Sequence, residues 1–336
     1  MVRRSTNNER LLRVASVNTP RAVHWQTGEK LASMILRRFL RRTDFRKSQS
    51  SILFANRYHN TASTQEQDGT THFGFRDVEK KQKEDLVRDV FDSVADNYDV
   101  MNDIMSGTLH RYWKDEFVNT LHPLPGMQII DVAGGTGDVA FRMHDMIRKK
   151  ARRDIIEKRG MEDEDSANAS GDKIVVCDIN TEMLRVGEDR AIKRGYDVVS
   201  NMNFVEGNAE NLPFENDTFD AYTIAFGIRN VTNIDKALVE ANRVLKKGGR
   251  FMCLEFSRVE NDILRQVYDT YSFNVIPKVG EMVTKDRESY QYLVESIRKF
   301  PDQETFETMI KTAGFKFVTH HNFTNGVVAM HSGFKL

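Results

Sequence analysis

Residues 127–150 read MQIIDVAGGTGDVAFRMHDMIRKK, and this stretch decides the fold. Met127–Ala133 is an apolar run of strand length, Gly134-Gly135-Thr136-Gly137 follows at once, and from Asp138 the apolar residues recur at helical spacing. A strand that opens through a glycine-rich turn into a helix starts a nucleotide-binding βαβ unit. Glycines there let the backbone approach a ligand and leave the helix N-terminus facing it. Gly135 and Gly137 also have a plainer reading, as the tight ending of a strand.

Downstream the same alternation continues. IVVCDIN (174–180) is a second strand ending in Asp178, a carboxylate placed either for a ribose diol or as the N-cap of the helix TEMLRVG. NFVEGNAENLPF (203–214) is a third strand with its loop, in which Asn208 is either a ligand contact or a turn former. FDAYTIAFGIRNV (219–231) is a fourth strand, KALVEANRVLKKGG (236–249) a helix with a glycine stop, and RFMCLEFS (250–257) a fifth strand. A last helix, FETMIKTAGF (306–315), leads into two strands joined at Asn325-Gly326, an antiparallel hairpin. The pattern predicts an α/β, Rossmann-like doubly wound sheet, mostly parallel with an antiparallel C-terminal edge. Upstream, residues 78–121 carry Leu86, Val90, Phe91, Val94, Trp113, Phe117 and Leu121 at helical spacing, for one or two helices. Residues 145–172 read as a solvated surface insertion, and they push Asp178 47 positions beyond Asp131, against roughly twenty in a compact dinucleotide fold.

Charge separates the N-terminus from this body. Formal net charge is +0, yet residues 1–60 hold 13 Lys/Arg against three acids, Glu9, Glu29 and Asp44. LASMILRRFLRR (31–42) places apolar residues near one helical face and arginines largely on the other, as a mitochondrial transit peptide does. A basic arm for a membrane surface or nucleic acid is the alternative. Residues 61–77 read as a linker and 78–336 as the globular domain. The body is mildly acidic, which argues against nucleic acid as a partner. Cys177 and Cys253 stand in apolar strands and read as core, and no paired His/Cys spacing would hold a metal.

The turn lacks the third glycine of a dinucleotide fingerprint, so by itself it leaves NAD and other adenosyl ligands open. VEGNAENLPFENDTFDAYTIAFGIRNV (205–231) with VLKKGGRFMCLEFS (244–257) resembles the later motifs of class I S-adenosylmethionine methyltransferases. Taken with VFDSVADNYDVMNDIMSGTLHRYWK (90–114), DVAGGTGDVAFR, YDTYSFNVIPKVG (268–280) and SYQYLVESIRKFPDQETF (289–306), the chain from about residue 75 onward resembles the UbiE-type ubiquinone/menaquinone C-methyltransferase family. Two positions depart from its pattern. Ala225 stands where the bacterial branch commonly has a serine, and Ala133 where the usual loop has its first glycine.

The resemblance implies S-adenosyl-L-methionine as cofactor, held by Asp131, Gly135, Thr136, Gly137, Asp178, Asn208 and Ala209. It implies methylation of a ring carbon on a polyprenylated benzoquinol, with a menaquinone-type substrate as the alternative. It further implies a multi-subunit coenzyme Q biosynthesis complex, peripheral contact with the matrix side of the mitochondrial inner membrane, and a homodimer. Carbon methylation needs an electron-rich ring, which a phenolate supplies. Arg229 and Asn230 follow the fourth strand and so face the ligand crevice. Arg229 would stabilise the phenolate and is too basic to accept its proton, which leaves Tyr98, His110 and Glu255 as candidate bases. Tyr98 and His110 also read as packed structural residues. Residues 267–282 read either as a buried helix pair or as a lid over the quinol ring and the start of its tail.

Overall fold

A computed structural model describes residues 69–94, 102–103, 106–159, 173–198, 201–278, 281 and 287–336. Strand β3 (Gln128–Val132) lies between β4 (Lys173–Asp178) and β6 (Phe219–Ala225), parallel to both. Outside β4 lies β5 (Met202–Glu206), and outside β6 lies β7 (Leu245–Phe256), again parallel. The sheet closes with β9 (Val328–Phe334) and then β8 (Lys316–Phe323), both antiparallel, giving the order β5-β4-β3-β6-β7-β9-β8. Strand order reverses between β3 and β6, and crevices that bind ligands open at such a reversal.

Successive residues of each strand feed opposite core layers. Ile129, Val176, Ala221, Met252 and Leu254 join one, with α2 (Leu109–Leu121), α3 (Asp138–Arg159), α4 (Thr181–Lys193) and α7 (Arg287–Lys299). Ile130, Val132, Cys177, Tyr222, Ile224 and Cys253 join the other, with α5 (Ile234–Val244) and α8 (Gln303–Thr312). Both cysteines are buried and free. Covering the sheet on two faces explains why its strands read as unbroken apolar runs. The doubly wound sheet with an antiparallel C-terminal edge is as expected.

Three local expectations are corrected. Residues 70–77 were expected as linker, yet β1 (Thr70–Phe73) and β2 (Arg76–Glu79) form an antiparallel hairpin. A lone two-stranded hairpin is marginal in water, and this one is held from outside: Phe73 stacks on Tyr292 at 4.1 Å and the Phe75 amide donates to Glu295 Oε2 at 3.0 Å. The glycine stop at 248–249 does not end a helix, because α5 is already over at Val244. Lys246–Gly249 instead bulge out of β7, whose register with β6 jumps from Leu245 to Arg250. Finally, α3 runs 22 residues through the expected start of the insertion at 145, because Met143, Ile147 and Ala151 bury one face. The rest of the insertion (160–172), the leader (1–60) and residues 61–68 of the linker lie outside the described residues.

Helix α1 (Lys80–Val94) follows the hairpin, and α6 (Asp262–Asn274) follows β7. Among the described residues no helix is long and apolar enough to cross a membrane.

Candidate active site

Beyond the carboxyl ends of β3, β4, β5 and β6 lies a cleft of about 820 Å³, partly open to solvent, with α1 forming its outer wall. Val132, Ala133 and Gly135 line it from the first turn, Asp178–Asn180 from the second, Gly207–Glu210 from the third, and Phe226, Gly227 and Asn230–Thr232 from the fourth.

The glycine turn is built for backbone conformations that side chains resist. Ala133, Gly135 and Gly137 have φ of 51°, 52° and 79°. Ala133 therefore sits where a glycine would fit without strain, which accounts for the glycine usual at that position. The Gly135 amide donates to Asp178 Oδ2 at 2.9 Å, and the Asn180 amide donates to Oδ1 at 2.9 Å. Burial pushes the Asp178 carboxyl above its ordinary pKa, and the amides of Asn180, Gly135 and Ile179 pull it back. The N-cap of α4 is Asn180, whose Oδ1 accepts from the Met183 amide at 2.9 Å, and not Asp178. Asp178 is thereby left to the cleft.

Three expected cofactor residues sit behind the turn and do not line the cleft. Asp131 is 1% exposed. Its Oδ1 accepts from Thr223 Oγ1 at 2.7 Å, its Oδ2 has no partner among the described residues, and burial raises its pKa to about 7. Thr136 is buried, and its hydroxyl accepts from Arg190 Nη1 at 3.1 Å. Gly137 packs on Phe141: a Cβ there would meet the ring at 3.0 Å. Asp131, Thr136 and Gly137 shape the turn, while Gly135, Asp178, Asn208 and Ala209 present themselves to the cleft.

Helix α1 supplies what the sequence reading missed. Glu84, Val87, Arg88 and Phe91 line the cleft, and α1 is tied to three strand-end loops. Lys83 Nζ donates to the Val231 carbonyl at 3.1 Å, Asn208 Nδ2 to Glu84 Oε1 at 3.1 Å, and Asn180 Nδ2 to Asp92 Oδ1 at 2.8 Å. Lys83 is 2% exposed, and burial lowers its pKa to about 8, with Glu210 opposing. Nothing in KKQKEDLVRDVF marks these residues, since a charged helix face reads as a solvated one.

The catalytic candidates separate. Asn230 is in the cleft, and its Oδ1 accepts from the Tyr292 hydroxyl at 3.0 Å, which leaves its Nδ2 as a donor. Arg229, expected to face the crevice, is 6% exposed and lies behind the cleft wall. Its Nη1 donates to Glu255 Oε1 at 2.9 Å and to the Phe226 carbonyl, while its Nε has no partner among the described residues. Burial pushes Glu255 upward and Arg229 pulls against it; the Phe256 amide also donates to Glu255 Oε1, at 2.8 Å. Glu255 is thus the anchor of Arg229. His110 is buried on α2, outside the cleft lining, with Nδ1 2.8 Å from Ser106 Oγ and a pKa lowered by burial to about 4. A neutral, hydrogen-bonded His110 matches its packed reading. Tyr98 lies outside the described residues. Phe226, between Ala225 and Gly227, has φ of 59°, and such non-glycine strain, on the order of 1–3 kcal/mol, clusters at functional sites.

A model of the ubiE/COQ5 methyltransferase family matches residues 78–335. The chain belongs to that family. Among its relatives are proteins named "2-methoxy-6-polyprenyl-1,4-benzoquinol methylase, mitochondrial". The one from Homo sapiens is 54% identical over 280 residues, covering 79% of this chain and 84% of the relative. The one from Dictyostelium discoideum is 54% identical over 278 residues, covering 79% and 86%. The one from Rattus norvegicus is 53% identical over 278 residues, covering 79% and 84%. Family membership removes the NAD-dependent oxidoreductase reading. A methyltransferase of this family needs a cradle for its methyl donor, and the residues present fit one. The turn approaches closely without side chains, a carboxylate stands across from it, and Gly227 has no room even for a Cβ, which would fall 2.4 Å from that of Ala133.

Proposed function

We propose that this chain transfers the methyl group of S-adenosylmethionine to a ring carbon of 2-methoxy-6-polyprenyl-1,4-benzoquinol, a step in ubiquinone synthesis. The observation that carries this is the identity of 53–54% to proteins bearing that name, over 79% of the chain. S-adenosylmethionine, when bound, supplies an electrophilic methyl group on a sulfonium. Asp178 would accept from its ribose diol, Gly135 would let the backbone approach it, and Asn208 and Ala209 would border its adenine.

The quinol ring needs a position beside Phe226 and Asn230, with one oxygen carrying phenolate charge. Asn230 Nδ2 donates to that oxygen, and Tyr292 keeps the amide turned that way. Arg229 acts from behind the wall through its field, which is little screened because its side chain is 4% exposed. Alignment of ring carbon and methyl group then contributes several kcal/mol by removing the search for geometry.

The same reading places the protein on the matrix side of the mitochondrial inner membrane, bound peripherally, as an isoprenoid substrate requires. The word "mitochondrial" in the relatives' names and the basic leader support it. Membership of a multi-subunit quinone-synthesis complex, and a homodimer, rest on the family resemblance. The test is a mass-resolved assay with isotopically labelled methyl donor and a short-tailed 2-methoxy-benzoquinol. One labelled methyl group on a ring carbon is expected; labelling on oxygen only, or none, contradicts the proposal.

A further inference from the structure

Lys83 on α1 is 2% exposed, and its Nζ donates to the Val231 carbonyl at 3.1 Å. Val231 directly follows Ile228–Asn230, a single 3-10 turn that carries both Arg229 and Asn230. The next bond along the chain goes to another element. The Asn233 amide donates at 2.8 Å to Oε1 of Glu210, in the loop after β5. Residues 231–233 are thus clamped between an ammonium on a carbonyl and a carboxylate on an amide, both charge-assisted bonds. Strand β1 adds a third support, since Phe73 stacks on Tyr292, whose hydroxyl donates to Asn230. Burying an ammonium is costly, and a neutral donor would serve to tie a helix to a loop.

We propose that Lys83 is a positioning residue for methyl transfer: its charged ammonium, holding the Val231 carbonyl, fixes the turn that presents Asn230 to the cleft. The inference rests on the proposed quinol reaction, in which Asn230 donates to the ring oxygen, and adds what sets Asn230 in place. The cofactor end of α1 is held separately, by Asn208 Nδ2 on Glu84 and Asn180 Nδ2 on Asp92. Loss of the Lys83 bond therefore loosens the reacting end of the cleft and leaves the nucleoside end tied. The clamp also responds to pH. Burial lowers the Lys83 pKa to about 8, and Glu210 supports the charged form. The other titratable group acting on it is His72 on β1. Burial, Lys83 and Lys299 lower the His72 pKa to about 4, against Asp77, so His72 stays neutral across the range that matters. An ammonium is a stronger donor than an amine, so the clamp holds below about 8 and slackens above it.

The test uses the full chain and Lys83→Met, which keeps the length of the side chain and removes its charge. S-adenosylhomocysteine affinity is the control for folding and is expected to stay near wild type. With a short-tailed 2-methoxy-benzoquinol, kcat should fall about 10- to 100-fold, the scale of a small misplacement at the reacting centre. The ratio of wild-type to variant kcat isolates Lys83, because ionisation of the substrate affects both alike. That ratio should be constant below about 8 and fall as Lys83 loses its proton above it. Hydrogen exchange gives a readout that needs no reaction. The Asn230 and Val231 amides bond to Gly227 and Ile228 carbonyls, and their protection should drop in Lys83→Met. In wild type the same protection, corrected for intrinsic rates, should drop as pH rises through about 8, which serves if the variant does not fold. A folded Lys83→Met with wild-type kcat, a kcat ratio flat across that pH range, or unchanged protection of the turn overturns the proposal. Protection that drops as expected while wild type methylates no quinol leaves the Lys83 clamp standing and overturns the proposed reaction instead.

Discussion

The amide of Gly135 donates to Asp178 Oδ2 at 2.9 Å, tying the turn after β3 to the acid that ends β4. Two neighbouring strands in parallel register bring them together, since Val132, the last residue of β3, pairs with Cys177, which precedes Asp178 at the end of β4. The bond fixes the turn against the carboxylate, and both residues line the cleft. Hydrogen bonds to a charged group are worth roughly 1.5–3 kcal/mol. Asp178→Ala is therefore expected to weaken S-adenosylhomocysteine binding by about 10- to 100-fold, and Asp178→Asn by less, because its amide oxygen still accepts. Calorimetric titration reads both, and equal affinity in Asp178→Ala and wild type would remove Asp178 from the cofactor site.

Ala133 and Gly227 face each other with no space between them. A Cβ on Gly227 would lie 2.4 Å from the Ala133 Cβ, and Ala133 already holds φ of 51°. Overpacking of this kind costs about 1–3 kcal/mol. Gly227→Ala is expected to lower both the melting temperature and nucleoside affinity, while Ala133→Gly added to it restores most of each. Thermal melts of the two single variants and the double variant decide the point; additive losses would show that the contact is not the cause.

The sheet was legible because a doubly covered sheet leaves a simple trace: runs such as IVVC and FMCLEF between helical repeats. The glycine turn, Asp178, Asn208 and Asn230 were legible because each lies at the carboxyl end of a strand or in the loop that follows it. The hairpin at 70–79 was not, since its stability comes from Tyr292 and Glu295, more than 200 residues away. The helix α1 wall was hidden for a related reason: Lys83 and Glu84 are buried or paired by loops distant in sequence, and their own neighbours give no sign of it. Nor could spacing tell that Arg229 turns inward, because its position behind the wall is set by Glu255 on the next strand.

Asp131 gives the fold a pH signature. Its pKa is raised from 3.8 to about 7 by burial, opposed by the Thr223 hydroxyl and Lys114. A carboxyl with a raised folded-state pKa binds its proton more tightly when folded, so its contribution is full below about 3.8 and is lost as pH rises through about 7. The difference in melting temperature between wild type and Asp131→Asn is thus expected to move against wild type from about pH 4 to about pH 7 and then level off. A difference that is flat across that window would contradict the assignment.

Arg229 and Glu255 form an ion pair with side chains 4% and 1% exposed. Removing one partner of a buried pair costs about 3–5 kcal/mol, because the other is left uncompensated. Arg229→Ala alone should therefore melt well below wild type, and Arg229→Met with Glu255→Met should recover much of the loss. Methyl transfer is expected to stay depressed in the double variant, whose fold is repaired while the guanidinium is gone. A refolded double variant working at near wild-type rate would take Arg229 out of the chemistry.

The most direct measurement is a calorimetric titration of the purified chain with S-adenosylhomocysteine and, separately, with NAD. A saturable one-to-one isotherm with the first and no binding of the second is predicted by a cleft built from the Gly135 turn and the Asp178 carboxylate. No saturable heat with S-adenosylhomocysteine, or tighter binding of NAD, would contradict it.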